Sequence, residues 1–205
     1  MTKFSVIIPT LWLSNRIILA LNEFDKSESV DEIILINNNP KNEFDISKYD
    51  KIIHIRNDSN IFVNPSWNLG VSIAKNDNII ISNDDIVISN IDRLLLNNEL
   101  LNYELVGLNH SEINKTDSVI FTNTKEFMPH GFGCFFYIKK HSYKIIPEQM
   151  KIWYGDVLLF KNVKNKALFS CNGIDMQFST TVNSNRANIQ HILDQDRKIF
   201  KSLNL

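Results

Sequence analysis

The sequence predicts an α/β layer fold on three observations. Apolar runs of strand length alternate with amphipathic helical patterns through the first half of the chain. One such run, Ile79-Ile80-Ile81-Ser82, stops at Asn83-Asp84-Asp85. In the second half, strand-type runs follow one another with little helix between them, so a mostly parallel sheet gains a mixed part.

The elements follow in order. Phe4-Ser5-Val6-Ile7-Ile8, closed by Pro9, is nearly continuous in apolar residues, which suits a strand buried on both faces. Leu13, Ile17, Leu21 and Phe24 recur at helical spacing. Ile33 to Ile36 forms a second buried strand ending at Asn37-Asn38-Asn39-Pro40. Together these make a βαβ unit, with a right-handed crossover expected. Lys51 to Arg56 reads as a third strand, and Asn57-Asp58-Ser59-Asn60 as a turn. Ser66 to Lys75 is a short helix entered through Pro65. Ile79 to Ser82 is the fourth strand, and Ser89 to Asp92 caps a helix before Leu94-Leu95. Further on, Glu104–Leu108, Ser118–Thr122, Cys134–Ile138 and Ala167–Ser170 read as strands. Trp153-Tyr154-Gly155-Asp156 opens a short helical pattern running to Phe160. Ile189, Ile192, Leu193, Ile199 and Phe200 mark a carboxyl-terminal amphipathic helix.

Bulk composition narrows the function classes. The 205 residues suit a single domain. Lys and Arg total 22 against 23 Asp and Glu, a net charge of -1, so no basic field draws nucleic acid or an acidic membrane. The two cysteines, Cys134 and Cys171, have no CxxC spacing, which argues against zinc and a disulfide framework. A cytoplasmic, reducing compartment is the expectation. Pro9 interrupts the first apolar run and no small-residue cleavage site follows, so that run is expected as a strand rather than a signal peptide. No apolar run reaches the ~18 residues of a membrane span.

The chemistry gathers at Asp84 and Asp85. Carboxylates at the end of a strand stand at the sheet edge where α/β folds bind ligands, and two together can hold a divalent cation that grips a diphosphate. Asn-Asp-Asp is also ordinary turn chemistry; the apolar strand before it and Ile86-Val87 after it favour the site. There is no G-x-G-x-x-G after a strand, no P-loop and no G-x-S-x-G, which argues against dinucleotide, NTPase and serine-hydrolase chemistry.

At these residues the chain resembles family 2 glycosyltransferases with the GT-A fold, of the small bacterial or large-virus type. Phe4 to Thr10 is similar to their opening strand, and Glu32 to Asn39 to their second strand and its turn. Asn68-Leu69-Gly70 resembles the step before the metal motif, and Asn83-Asp84-Asp85 resembles Asp-x-Asp. His130-Gly131-Phe132-Gly133 resembles the acceptor loop. Gly155-Asp156 is similar to the acidic pair that carries the catalytic base. The resemblance spans roughly residues 3 to 165. It departs from the family at Asn37, where a uracil-reading Asp is usual, at Asn83, and at Trp67, near a common Arg.

The resemblance implies a single glycosyltransferase domain over residues 1–205 with a mostly parallel sheet, residues 1–100 as the nucleotide-sugar-binding half and 101–205 as a mixed, acceptor-binding half. It also implies inverting transfer of a hexose-type sugar from a UDP-sugar donor to a glycan or glycoconjugate acceptor. Asp85 and His191 are the implied ligands of Mn²⁺ or Mg²⁺. Pro9, Thr10, Asn37, Asn39, Asn60, Asn68, Asn83 and Asp84 are the implied nucleotide contacts, and Asp156 the implied base. His130, Gly131, Trp153 and Tyr154 are the implied acceptor contacts. Each Asn is equally suited to a turn or cap, His191 to a helix surface, and Asp156 to a helix cap. Two rival readings stand beside this one: a sugar nucleotidyltransferase, whose Gly-rich amino-terminal loop is missing after Ile8, and a non-catalytic nucleotide- or glycan-binding domain.

Overall fold

In the computed structural model, described for residues 1–42, 44–127, 131–176 and 186–203, one mixed sheet carries the site. Its strands are β1 (Phe4–Thr10), β2 (Val30–Asn37), β3 (Ile52–Arg56), β4 (Asn78–Ser82), β6 (Leu105–Leu108), β7 (Ile120–Asn123), β8 (Phe135–Lys139) and β9 (Lys166–Ser170). They run in the order β3-β2-β1-β4-β8-β6-β9-β7. The first four are mutually parallel, and β8 is antiparallel to both β4 and β6. A separate antiparallel ribbon joins β5 (Ile86–Ile88) to β10 (Ile174–Met176).

The continuous apolar runs are explained by burial on both faces. Val6 and Ile8 of β1 belong to one core with Leu21 and Phe24 of α1 (Arg16–Lys26). Ile7 belongs to the other core, with Trp67 and Val71 of α2 (Val63–Ile73). Ile33 and Leu35 alternate with Ile34 and Ile36 in the same way. Pro9 fits because the β1–β4 ladder stops at Ile7, before the residue that lacks an N–H.

The order of strands creates the crevice. From β1 the chain passes through α1 to β2 and β3 on one side, then returns through α2 to β4 on the other. Where connections diverge from neighbouring parallel strands, the carboxyl ends leave an opening for ligand. Here those ends are Thr10 and Ser82.

Several elements differ from expectation. α1 begins at Arg16, not Leu13: Trp12 has φ 56° and the Leu11 and Trp12 carbonyls are taken by the Asn39 and Asn42 amides, so this stretch cannot be helical. α2 begins three residues before Ser66, which puts Pro65 in a first turn whose N–H groups need no helical partner. The β5–β10 ribbon joins two segments with no local strand signal beyond three residues each. α3 (Asp92–Leu95) has no side-chain cap; Asp92 instead accepts the Ser27 hydroxyl at 2.5 Å. α4 (Gly155–Asn162) and α5 (Arg186–Ser202) fall where helical patterns were read. Among the described residues no helix is long and apolar enough to cross a membrane.

Candidate active site

The first wall of the site is the meeting of β1 and β4. Thr10, buried at the end of β1, donates its hydroxyl to Asp84 Oδ2 at 2.6 Å and accepts the Trp12 N–H at 2.8 Å. Asp84 also accepts N–H groups from Leu11 and from its own backbone. Burial pushes the Asp84 carboxyl up to about 6; the Thr10 hydrogen bond opposes this and the adjacent Asp85 charge adds to it. Asp85 is only 7% exposed, and its carbonyl accepts Arg16 Nε at 3.0 Å. Arg16 reaches Asp175 on β10 as well, at 2.5 Å, so α1 and the small ribbon together fix the turn after β4.

The second wall comes from the mixed half. Antiparallel pairing sets Ser82 opposite Phe135, and the Asn83 N–H bonds the Cys134 carbonyl at 2.8 Å. This brings the loop before β8 against the carboxylates. Asp156, half-buried in the first turn of α4, faces the same loop. A Cβ on Gly133 would lie 2.6 Å from Asp156 Oδ2, so only glycine leaves room for that carboxylate. Asp156 Oδ1 accepts the Val157 N–H at 2.9 Å. Burial pushes this carboxyl up to about 6, against the lowering effect of its backbone hydrogen bonds. The Cys134 thiol is pushed up to about 12, by burial and then by the charges of Asp85 and Asp156. It is therefore a neutral spacer that senses both carboxylates.

The asparagines are largely taken up by the fold. Buried Asn37 accepts the Asn39 N–H at 2.7 Å and points its amide nitrogen at the Asn42 carbonyl, 3.4 Å away. Asn39 donates to the Leu11 carbonyl at 3.0 Å. These two order the strand-end loop around Thr10. Exposed Asn60 accepts the Phe62 N–H at 2.7 Å and turns the chain into α2. The Asn68 amide is engaged within the fold. Its oxygen accepts from Tyr143 and Ile146, and its nitrogen donates to the Ile146 carbonyl, stapling α2 to the segment beyond β8.

Of the acceptor-side residues, His130 lies outside the described residues. Gly131, buried with φ 86°, opens the tight turn 132–134. Trp153 and Tyr154 directly precede α4. Tyr154 adopts φ 65°, receives Arg197 Nε on its hydroxyl at 3.2 Å and stacks on Phe200 with centroids 5.0 Å apart. His191 is exposed on α5, while Ile192 and Leu193 beside it are buried. Among the described residues no three His, Cys, Asp or Glu side chains are grouped to hold a metal ion, so His191 does not join Asp84 and Asp85 in such a set.

The strand-end pair still suits a hard cation. Magnesium-type ions keep waters and take one or two carboxylates plus substrate phosphates, rather than a full protein cage. Asp84 and Asp85 are oxygen donors on adjacent residues, and their mutual repulsion, part of the upward shift of Asp84, is what a cation relieves.

Solved structures share this arrangement of strands and helices. S. aureus TarS 1–349 in complex with UDP superposes with a TM-score of 0.62 at 14% identity, over 83% of this chain and 60% of that one. The same protein in complex with UDP-GlcNAc gives 0.58 at 13% identity, over 88% and 62%. The fold is that of a GT-A glycosyltransferase. The chain thus spans about three-fifths of the TarS 1–349 structures it matches. No protein-family profile matches the sequence, and no curated protein matches it either.

Reading the sequence alone misses four contributors: Arg16, Asn64, Cys134 and Asp196. Only Asp196 left a signal. It sits four residues after Ile192 and four before Phe200, an acid on the apolar stripe of α5.

Proposed function

We propose that the protein is a metal-dependent, inverting glycosyltransferase. It moves a hexose-type sugar from a nucleoside diphosphate, UDP first among them, to a hydroxyl of a glycan or glycoconjugate. The observation that carries this reading is a geometry: the loop before β8 binds the Asp84–Asp85 turn through the Asn83 N–H and the Cys134 carbonyl, and packs Gly133 against the Asp156 carboxylate. The fold likeness to TarS, seen with UDP and UDP-GlcNAc, supports a donor of that class.

The acceptor hydroxyl attacks the anomeric carbon as the bond from that carbon to the diphosphate oxygen breaks. Its proton passes to Asp156, whose raised pKa matches a base working near neutrality. Attack from the face opposite the leaving group inverts the centre. Asp85 and Asp84 would hold Mn²⁺ or Mg²⁺, which supplies positive charge beside the departing diphosphate when bound. Thr10 and the Leu11 N–H keep Asp84 oriented from the nucleotide side. The Trp153–Tyr154 surface beside the base gives a sugar ring an aromatic face to lie on.

Calorimetry with UDP, with and without manganese, tests the donor site, and release of UDP from a panel of nucleotide sugars tests the chemistry. Manganese-dependent binding and UDP release are expected. Binding without release favours a non-catalytic nucleotide-binding domain, a reading supported by Asn37 spending its oxygen on Asn39 rather than presenting it to a base. Failure to bind any nucleotide overturns both.

A further inference from the structure

The three residues Lys151, Ile152 and Trp153 lead into Asp156, and their backbone is gripped from two sides. On one side stands Asp196 of α5, 0% exposed. Its Oδ1 accepts the Lys151 N–H at 2.8 Å, and its Oδ2 accepts those of Ile152 and Trp153, each at 2.9 Å. On the other side stands Asn64 of α2, also fully buried. Its backbone N–H donates to the Lys151 carbonyl at 3.0 Å, and its side-chain nitrogen to the Trp153 carbonyl at 3.1 Å. Among the described residues the Asn64 oxygen has no hydrogen-bond partner, and it lies against Gly155, where a Cβ would come within 2.2 Å of it.

Such a clamp is expensive to keep. A buried carboxylate loses its hydration, and the three N–H bonds are its compensation. A buried amide oxygen without a partner is a further cost. An apolar contact would tether α5 to the loop at lower cost, but it would not set the backbone groups of three successive residues. A general base needs that definition, since a misplacement of about 1 Å can cost about a hundredfold in rate. Of the two residues between clamp and base, Tyr154 has left-handed backbone, and its side chain meets Arg197 and Phe200 of the same helix.

We infer that Asp196 and Asn64 are positioning residues, which aim Asp156 by fixing the loop Lys151–Gly155 from the two halves of the molecule. The inference rests on Asp156 acting as the base of the proposed transfer.

The test uses UDP-GlcNAc with manganese and water as acceptor, reading UDP release by wild type, Asp196→Asn, Asn64→Ala and Val71→Ala. Val71 is buried in α2 seven residues on from Asn64 and makes none of the clamp's hydrogen bonds, so its truncation serves as a destabilised comparison. For the two clamp variants kcat is expected to fall about tenfold to a hundredfold, with KM for UDP-GlcNAc within about threefold of wild type. Val71→Ala is expected to lower Tm while keeping kcat within about threefold. If Asp196→Asn does not fold, Asn64→Ala, which keeps the backbone bond to Lys151, carries the test. Clamp variants that lose no more kcat than Val71→Ala, or whose loss appears in KM, overturn the positioning role alone. Wild-type protein that binds UDP but releases none from UDP-GlcNAc or any other sugar nucleotide overturns the functional reading and the positioning role together.

Discussion

Replacing Asp156 with Asn should stabilise the protein while abolishing its chemistry. The carboxyl is raised from the ordinary 3.8 to about 6, chiefly by burial. At 1.36 kcal/mol per unit, ionised Asp156 therefore costs the fold about 3 kcal/mol above pH 7. The direction follows from the raised value: this stabilising contribution is complete below about pH 4, where both folded and unfolded chains are protonated, and is lost as pH rises through about 6. Asn is neutral throughout, and its oxygen can keep the 2.9 Å bond from Val157. Wild type and variant should thus differ by only about 1 kcal/mol at pH 4.5 and by about 3 kcal/mol at pH 8, the latter about 6–12 °C in Tm for a chain of this size. Asp84 titrates over the same range in both proteins, so the difference isolates Asp156. Urea unfolding at the two pH values, with equal m-values, measures it. UDP release should fall by about 10²–10⁴ in the same variant. An Asn variant with no stability gain at pH 8 would falsify the desolvation argument, and one with near-normal turnover would remove Asp156 as the base.

Three further outcomes are expected. The pH profile of kcat/KM should rise about tenfold per unit below about 6 and level off above it, because the base must be deprotonated; a flat profile from pH 5 to 8 contradicts this. Asp85→Asn should weaken manganese-dependent UDP binding about tenfold or more in calorimetry, with little change in Tm of the ligand-free protein, since it removes one of two strand-end carboxylates. Gly133→Ala should drive a methyl into Asp156, whose oxygen would be 2.6 Å away. The expected cost is about 1–3 kcal/mol in denaturation, with kcat reduced and far-ultraviolet circular dichroism unchanged.

Much of the first half was legible because strands buried on both faces announce themselves as unbroken apolar runs. β1 and β4 were read within two residues and β2 within three, and the Asp84–Asp85 pair was placed at a strand end. What was not legible has particular causes. Leu13 fits a helical period, yet side chains from Asn39 and Asn42 claim the carbonyls that a helix would use there. β5 and β10 are each three residues long and exist as strands only by pairing across the chain. Asn68 sits in a motif-like run, and its amide is consumed by Tyr143 and Ile146, residues that no local pattern connects to it.

What the chain dictated by itself was the sheet, the helices on either side of it, and the presence of acids at Asp84, Asp85 and Asp156. These follow from periodicity and from the side chains a residue carries, which are local properties. Tertiary structure alone decided that Asp156 and Asp85 share the surroundings of one thiol, that Gly133 must lack a Cβ, and that Asp196 and Asn64 meet at one loop. Those relations join residues from about 20 to over 100 positions apart in sequence. Burial and hydrogen bonding between such distant groups depend on the closed shape of the molecule, which no window of sequence contains.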